Sequence, residues 1–171
     1  PELKELAQNL LIDMTPEGLR IQIVDQDGKP MFESGSAKPL PPAEKLLGVV
    51  AKIIKDLPNK LSLRGHTDSK PYGKDAFYTN WELSADRANA SRRVLLTDGL
   101  DITRMENIQG KADREPLVKD DPEAARNRRI SIILLKQSLV AAEKKKANKA
   151  PAPSSPVKEL KKKEEGVIYF P

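Results

Sequence analysis

Apolar positions along the chain change period several times, and each change marks an element. Leu3, Leu6, Leu10 and Leu11 fall at i, i+3, i+7 and i+8, which predicts an amphipathic helix over residues 1–11. Leu19, Ile21 and Ile23 alternate with Arg20 and Gln22, the period of a half-buried strand. It lies between the turns Thr15-Pro16-Glu17-Gly18 and Asp27-Gly28. Pro39, Pro41 and Pro42 open a helix whose apolar residues are Leu46, Leu47, Val50, Ile53, Ile54 and Leu57, with Pro58 as its stop. Leu61 and Leu63 mark a short strand running into Gly65-His66-Thr67-Asp68. A long helix is predicted over Asn80 to Asp98 with Gly99 as its C-terminal cap, then a strand near Glu106–Gly110 and a last strand over Arg128–Leu135. The order strand, helix, strand, helix, strand, strand predicts a two-layer α/β sandwich in which two long helices cover one sheet.

Charge divides the chain differently. Of the net +5 over 171 residues, residues 141–171 carry +4 and residues 1–140 only +1. The basic character therefore belongs to a Lys-, Ala- and Pro-rich tail with little apolar content, which is expected to be disordered over 138–171. A nearly neutral folded part argues against nucleic acid as a partner. The apolar Val167-Ile168-Tyr169-Phe170 has no evident role. Without cysteine, a disulfide scaffold, a cysteine zinc site and thiol catalysis are excluded, and a single histidine, His66, excludes a multi-histidine metal centre. No apolar run reaches the roughly 18 residues of a membrane span. The chain, beginning at Pro1, reads as a soluble piece of something larger.

One residue conflicts with its surroundings. On a helical wheel Asn80, Leu83, Ser84, Arg87, Ser91, Val94 and Leu95 share the inward side of the long helix, with Glu82, Asp86, Asn89 and Arg93 opposite. Arg87 thus lies on the packed face, where an unpaired guanidinium is costly. Two readings follow. Either Asp68 and Arg87 form a buried salt bridge that fixes the helix to the sheet, or they stay open as a receptor for a ligand carrying both charges. In the second case Arg87 grips a carboxylate, Asp68 accepts from an ammonium, and Asn80 adds amide hydrogen bonds. Catalytic readings are weaker. His66, Asp68 and Ser69 are neighbours on one segment and cannot converge as a triad. No spacing marks Asp68, Asp75 and Glu82 as a glycosidase pair, and Gly110-Lys111-Ala112 is not a phosphate loop. Trp81 lies off the inward face and reads as cover for a helix edge.

Leu63-Arg64-Gly65-His66-Thr67-Asp68, followed by Asn80-Trp81-Glu82-Leu83-Ser84 and Arg87-Ala88, resembles the OmpA-like peptidoglycan-binding domain. Asn127-Arg128-Arg129-Ile130 matches the family's closing signature. Within the family the wording at Asn80–Ser84, the stretch Thr15–Val24, Pro30-Met31-Phe32 and Gly35-Ser36-Ala37 resemble the MotB group, the wall anchors of flagellar stators.

The resemblance spans residues 10–136. It implies a βαβαββ domain with a mixed sheet at 12–137, and the helix expected over 1–11 would then lie between that domain and a preceding segment, as a linker whose undocking lets the domain reach the wall. It also implies a homodimer, a periplasmic location, and attachment to the inner membrane only through a preceding segment that carries the proton pathway and pairs with the MotA stator subunit. The ligand it implies is the peptidoglycan stem peptide, with Asp68 and Arg87 holding the diaminopimelate zwitterion and Thr67, Asn80, Leu83, Asn127 and Arg128 at flanking positions. No catalytic role, cofactor or metal is implied. Sibling tethers of the outer membrane or of secretion systems, and less closely a wall hydrolase, are the alternatives. Two departures stand out: a long 69–79 segment that can cover the pocket, and Ala112 where glycine is frequent.

Overall fold

The computed structural model describes residues 2–149. Five strands form one mixed sheet in the order β1-β2-β5-β3-β4. They are β1 (Leu10–Thr15), β2 (Gly18–Val24), β3 (Leu61–His66), β4 (Met105–Gly110) and β5 (Arg129–Leu135). β1–β2, β2–β5 and β5–β3 pair antiparallel, and β3–β4 pair parallel. The two long helices, α2 (Pro41–Ile54) and α3 (Asn80–Thr97), pack on one face over Ile21, Ile23, Leu61, Leu63, Ile130, Ile132 and Leu134. On the other face the Arg129 Nε and the Ser131 hydroxyl both donate to Gln22 Oε1 at 2.8 Å. β5 is the central strand, and all seven of its residues are buried.

Two expectations at the ends are corrected. The leucine stripe does not make one helix over 1–11. α1 covers only Glu2–Leu6, Ala7–Asn9 make a 3-10 turn, and Leu10 enters β1. Tertiary pairing overrides the helical period here. The Asn9 amide donates to the Val24 carbonyl at 2.8 Å, and from Leu10 on every residue of β1 pairs with β2. The domain is therefore ββαβαββ, with an edge strand ahead of the predicted pattern. At the other end α4 (Gln137–Lys149) replaces the start of the expected disordered stretch. Alanine, glutamate and lysine are strong helix formers, and residues 141–149 form an exposed helical segment. The chain divides into one unit at Pro1–Val140 and another from Ala141. The remainder of the tail, including Val167–Phe170, lies outside the described residues. α2 ends at Ile54 rather than Leu57, because the position before Pro58 is biased away from helix.

α3 lies unusually close to the sheet. Gly65 and Gly110 are paired neighbours on β3 and β4. A Cβ at Gly65 would drive into the Ser84 carbonyl, and one at Gly110 would lie 2.8 Å from the Ser84 hydroxyl and the Ala85 nitrogen. Ser84 uses the proximity: its hydroxyl accepts from the Ala112 N–H at 3.0 Å and holds Ala112 at a φ of 49°. The helix start is fixed by a capping box, in which the Thr79 side chain accepts from Trp81 N–H and Glu82 accepts from Thr79 N–H at 2.8 Å. These two devices set the height and starting point of the helix that carries Asn80, Leu83 and Arg87.

Candidate functional site

The ends of β2, β3 and β5, the start of α3 and two loops converge on a cavity of about 630 Å³. Its walls include Asp25, Phe32, Thr67, Asp68, Tyr72, Asn80, Leu83, Arg87 and Arg128. Such a volume suits a small ligand or a side-chain tip with its flanking groups.

Of the two readings of Asp68 and Arg87, the direct salt bridge is not formed. Asp68 pairs instead with Arg128, Nη1 to Oδ2 at 2.8 Å, and the same guanidinium donates through Nε to Asp25 Oδ2 at 2.8 Å. Asp25 follows β2 and Arg128 precedes β5, and the Asp25 N–H donates to the Arg128 carbonyl at 3.0 Å, so the sheet ladder itself fixes this pair. Burial raises the Asp25 pKa above the ordinary carboxylate value, against the opposing pull of Arg128. Burial opposes the charge on Arg128 too, but its two carboxylate partners prevail and raise its pKa.

Arg87 is 5% exposed and, among the described residues, has no carboxylate partner. Its Nε donates to the Ser36 carbonyl at 2.8 Å and its Nη2 to the Glu33 carbonyl at 3.0 Å. The Phe32 ring lies beneath it, 5.2 Å from guanidinium carbon to ring centroid. Burial lowers its pKa, with Asp25 acting the other way through space; an arginine nevertheless remains a cation. Backbone carbonyls and a ring orient this charge without neutralising it. Two of its five N–H donors serve those carbonyls, and the residue lines the cavity.

The flanking residues separate into two groups. Thr67 and Leu83 line the cavity, and the Thr67 hydroxyl is buried without a hydrogen-bond partner. Asn80 also lines it and donates to the Lys70 carbonyl at 3.2 Å, joining the 68–70 loop to α3. Asn127 does not line it. Its side chain is fully buried in the 118–122 loop, accepting from Val118 N–H at 2.7 Å and donating to the Asp121 carbonyl at 2.9 Å and the Pro122 carbonyl at 3.1 Å. The Pro122 carbonyl also accepts from Ser69 N–H at 3.0 Å, so Asn127 positions the Asp68 loop from behind. The long 69–79 segment walls the cavity with Lys70, Pro71 and Tyr72 and leaves it open.

Sequence reasoning missed Asp25, Phe32 and the carbonyls of Glu33 and Ser36. Asp25-Gln26-Asp27-Gly28 reads locally as a turn, and its partner Arg128 lies 103 residues away. Backbone carbonyls leave no residue-type signal at all.

Three acids, Asp25, Glu33 and Asp68, and three cations, Lys70, Arg87 and Arg128, line the cavity, so the site is neutral overall but internally polarised. That arrangement suits a zwitterion. A ligand carboxylate meets the uncompensated Arg87, and an ammonium meets Asp68, one of whose oxygens accepts from Lys70 N–H and the other from Arg128. Among the described residues no histidine and carboxylate group is arranged to hold a metal ion. His66 is buried beside the site, and burial lowers its pKa to about 3.

Comparison with known proteins places this geometry in a family. Motility protein B of Escherichia coli K12 is 46% identical over 136 residues, which cover 79% of this chain and 44% of that protein. The chain thus spans less than half of that relative. The crystal structure of the periplasmic domain of Helicobacter pylori MotB superposes with a TM-score of 0.63 at 21% identity, covering 82% of this chain and 99% of that one. The cell wall anchor of the type VI secretion system from Pseudomonas aeruginosa gives a TM-score of 0.62 at 27% identity, covering 79% of this chain and 92% of that one. The family model described as the OmpA family matches residues 31–129, a stretch that holds every named cavity residue except Asp25, and the chain belongs to that family.

Proposed function

We propose that this domain anchors a flagellar motor stator to the cell wall by binding the diaminopimelate tip of the peptidoglycan stem peptide. It does no chemistry on the polymer. A motor that pushes on a rotor needs a fixed point of reaction, and a covalent wall supplies one. The observation that carries the reading is Arg87: a buried cation held by carbonyls, open to a cavity, with Asp68 on the same wall. Thr67, Asn80 and Leu83 complete the contact surface, and Arg128 holds Asp68 in place.

In the whole protein the domain belongs to the periplasm, tethered to the inner membrane by a preceding segment that pairs with MotA. It works as a homodimer. Two weak sites on a repeating polymer gain through effective concentration. The 46% identity to a motility protein, against 27% to a secretion-system anchor, favours the motor over a sibling tether.

Co-sedimentation with purified peptidoglycan sacculi tests the reading. Arg87→Lys keeps the charge but loses the fork, and Asp68→Asn keeps the shape but loses the charge. Both are expected to remain in the supernatant while circular dichroism stays native. Wild-type sedimentation by either variant would refute the site, and release of soluble muropeptides by the wild type would point to a hydrolase.

A further inference from the structure

The two edges of the sheet differ. β4 carries Glu106, Asn107 and Gln109, and its pairing with β3 shifts register at Leu61/Ser62. β1 pairs with β2 without a shift and has neither lysine nor proline, the usual means of blunting an exposed edge. Among the described residues no backbone hydrogen bond reaches its outer side. Ile12 and Met14 are 60% and 69% exposed there, on the helix-bearing face opposite Ile21 and Leu19.

Hairpin geometry sets which backbone groups of β1 are free. Thr15 and Gly18 close a two-residue turn as a hydrogen-bonded pair, so Asp13 and Leu11 also turn their N–H and C=O groups toward β2. Leu10, Ile12 and Met14 turn theirs outward. We infer that this edge pairs antiparallel with the same edge of a second copy of this chain, joining two five-stranded sheets into one of ten strands. The inference rests on the proposed homodimer and gives it a surface. A two-fold axis normal to the sheet must pass through a residue, because opposed side chains share a face. An axis at Asp13 sets two carboxylates opposite each other and runs the ladder into Pro16, which has no N–H to give. An axis at Leu11 carries Met14 past the start of the strand. An axis at Ile12 sets that residue against its own copy and Leu10 against Met14, and it uses all three outward residues. Asp13 stays on the other face, held by Arg20 Nε at 2.9 Å. Apolar surface on α2 lies on the same side of the domain. α3 covers β3 and β4, and Gly48 of α2 faces Asp98 just past its end. Ile53, 64% exposed, is about 140° round α2 from Gly48 and so turned away from α3. A six-residue edge and one helix flank lie at the low end of interfaces, about 800 Å² or less a side, so free domains pair weakly. The strands run opposite ways about the axis, which puts the two cavities at opposite ends of the joined sheet, clear of the interface.

Sedimentation equilibrium of the full chain up to about 1 mM reads the pairing, and the wild type is expected to form dimers in that range. Ile12→Lys, at a position already exposed, is expected to raise the dissociation constant at least about tenfold while circular dichroism stays native. The chain has no cysteine, so single introduced cysteines report the register. Ile12→Cys is expected to give a disulfide-linked dimer on oxidation, since opposed Cα atoms of a hydrogen-bonded pair lie about 5.5 Å apart. Met14→Cys, about 14 Å from its own copy in this register, is expected to give none. Wild-type dimerisation by Ile12→Lys, or equal cross-linking at 12 and 14, overturns the β1 edge and leaves the homodimer to another surface. A wild type that stays monomeric at 1 mM overturns both and leaves the edge to a strand of a different protein.

Discussion

Arg128 does more for the site than its partly exposed position implies. Its guanidinium bridges the buried carboxylates of Asp25 and Asp68. Arg128→Ala would leave two acids in a low-dielectric wall, and the expected loss is about 3 kcal/mol in chemical denaturation, along with sacculus binding. Arg87→Ala removes a cation that no acid was neutralising, so its cost falls chiefly on the ligand and on the 33–36 loop. His66 sets a pH dependence. Its folded pKa of about 3 lies below the ordinary 6.5, so between those values the unfolded chain takes up a proton that the folded chain refuses. The group's contribution is complete above pH 6.5 and is lost as pH falls toward 3. Through His66 alone the domain is expected to be about 2 kcal/mol less stable at pH 5 than at pH 7. Urea titrations at both pH values check this, and a His66→Gln variant should show a shallower dependence. Arg87, Asp68, Thr67, Asn80 and Leu83 were legible from helix phase and motif wording. What could not be read was the pairing. Residue types show that a charge needs a partner, but chain folding decided that Asp68 met Arg128 and that Arg87 met carbonyls.

Among the elements, α3 and the β3–β4 edge behave as one part. Gly65 and Gly110 let the helix descend, and Ser84 locks it to the turn at Ala112. Gly65→Ala is therefore expected to cost more than about 3 kcal/mol, since the clash is with backbone and not with a flexible tip. A thermal melt of the variant checks it. The capping box sets the other end of the same device. Thr79→Ala is expected to lower stability by about 1 kcal/mol and to weaken ligand binding by loosening Asn80. Period identified β2, α2 and α3 through a repeating apolar face, and β3 and β5 through short apolar runs that are buried along nearly their whole length. It failed at Leu10 and Leu11, where a leucine spacing compatible with a helix also suits an edge strand, and the hairpin partner β2 decided between them. It failed again at α4, where composition low in apolar residues was read as disorder although Ala, Glu and Lys favour helix locally.

For the whole molecule, the sheet order β1-β2-β5-β3-β4 explains why distant segments meet at one cavity. Inserting β5 between β2 and β3 brings Arg128 between Asp25 and Asp68, and the antiparallel pairing sets all three at the same end of the sheet. No local signal reveals that insertion, which is why the acid-base chain was invisible while its members were not. None of the described helices is long and apolar enough to cross a membrane. The most direct test of the proposed anchor compares two stem tetrapeptides that differ by one group: diaminopimelate at the third position, or lysine, which lacks the second carboxylate. Isothermal titration of the wild type is expected to show at least about tenfold tighter binding of the diaminopimelate peptide, and Arg87→Ala is expected to bind both equally weakly. Equal affinity of the wild type for the two peptides would contradict the role given to Arg87.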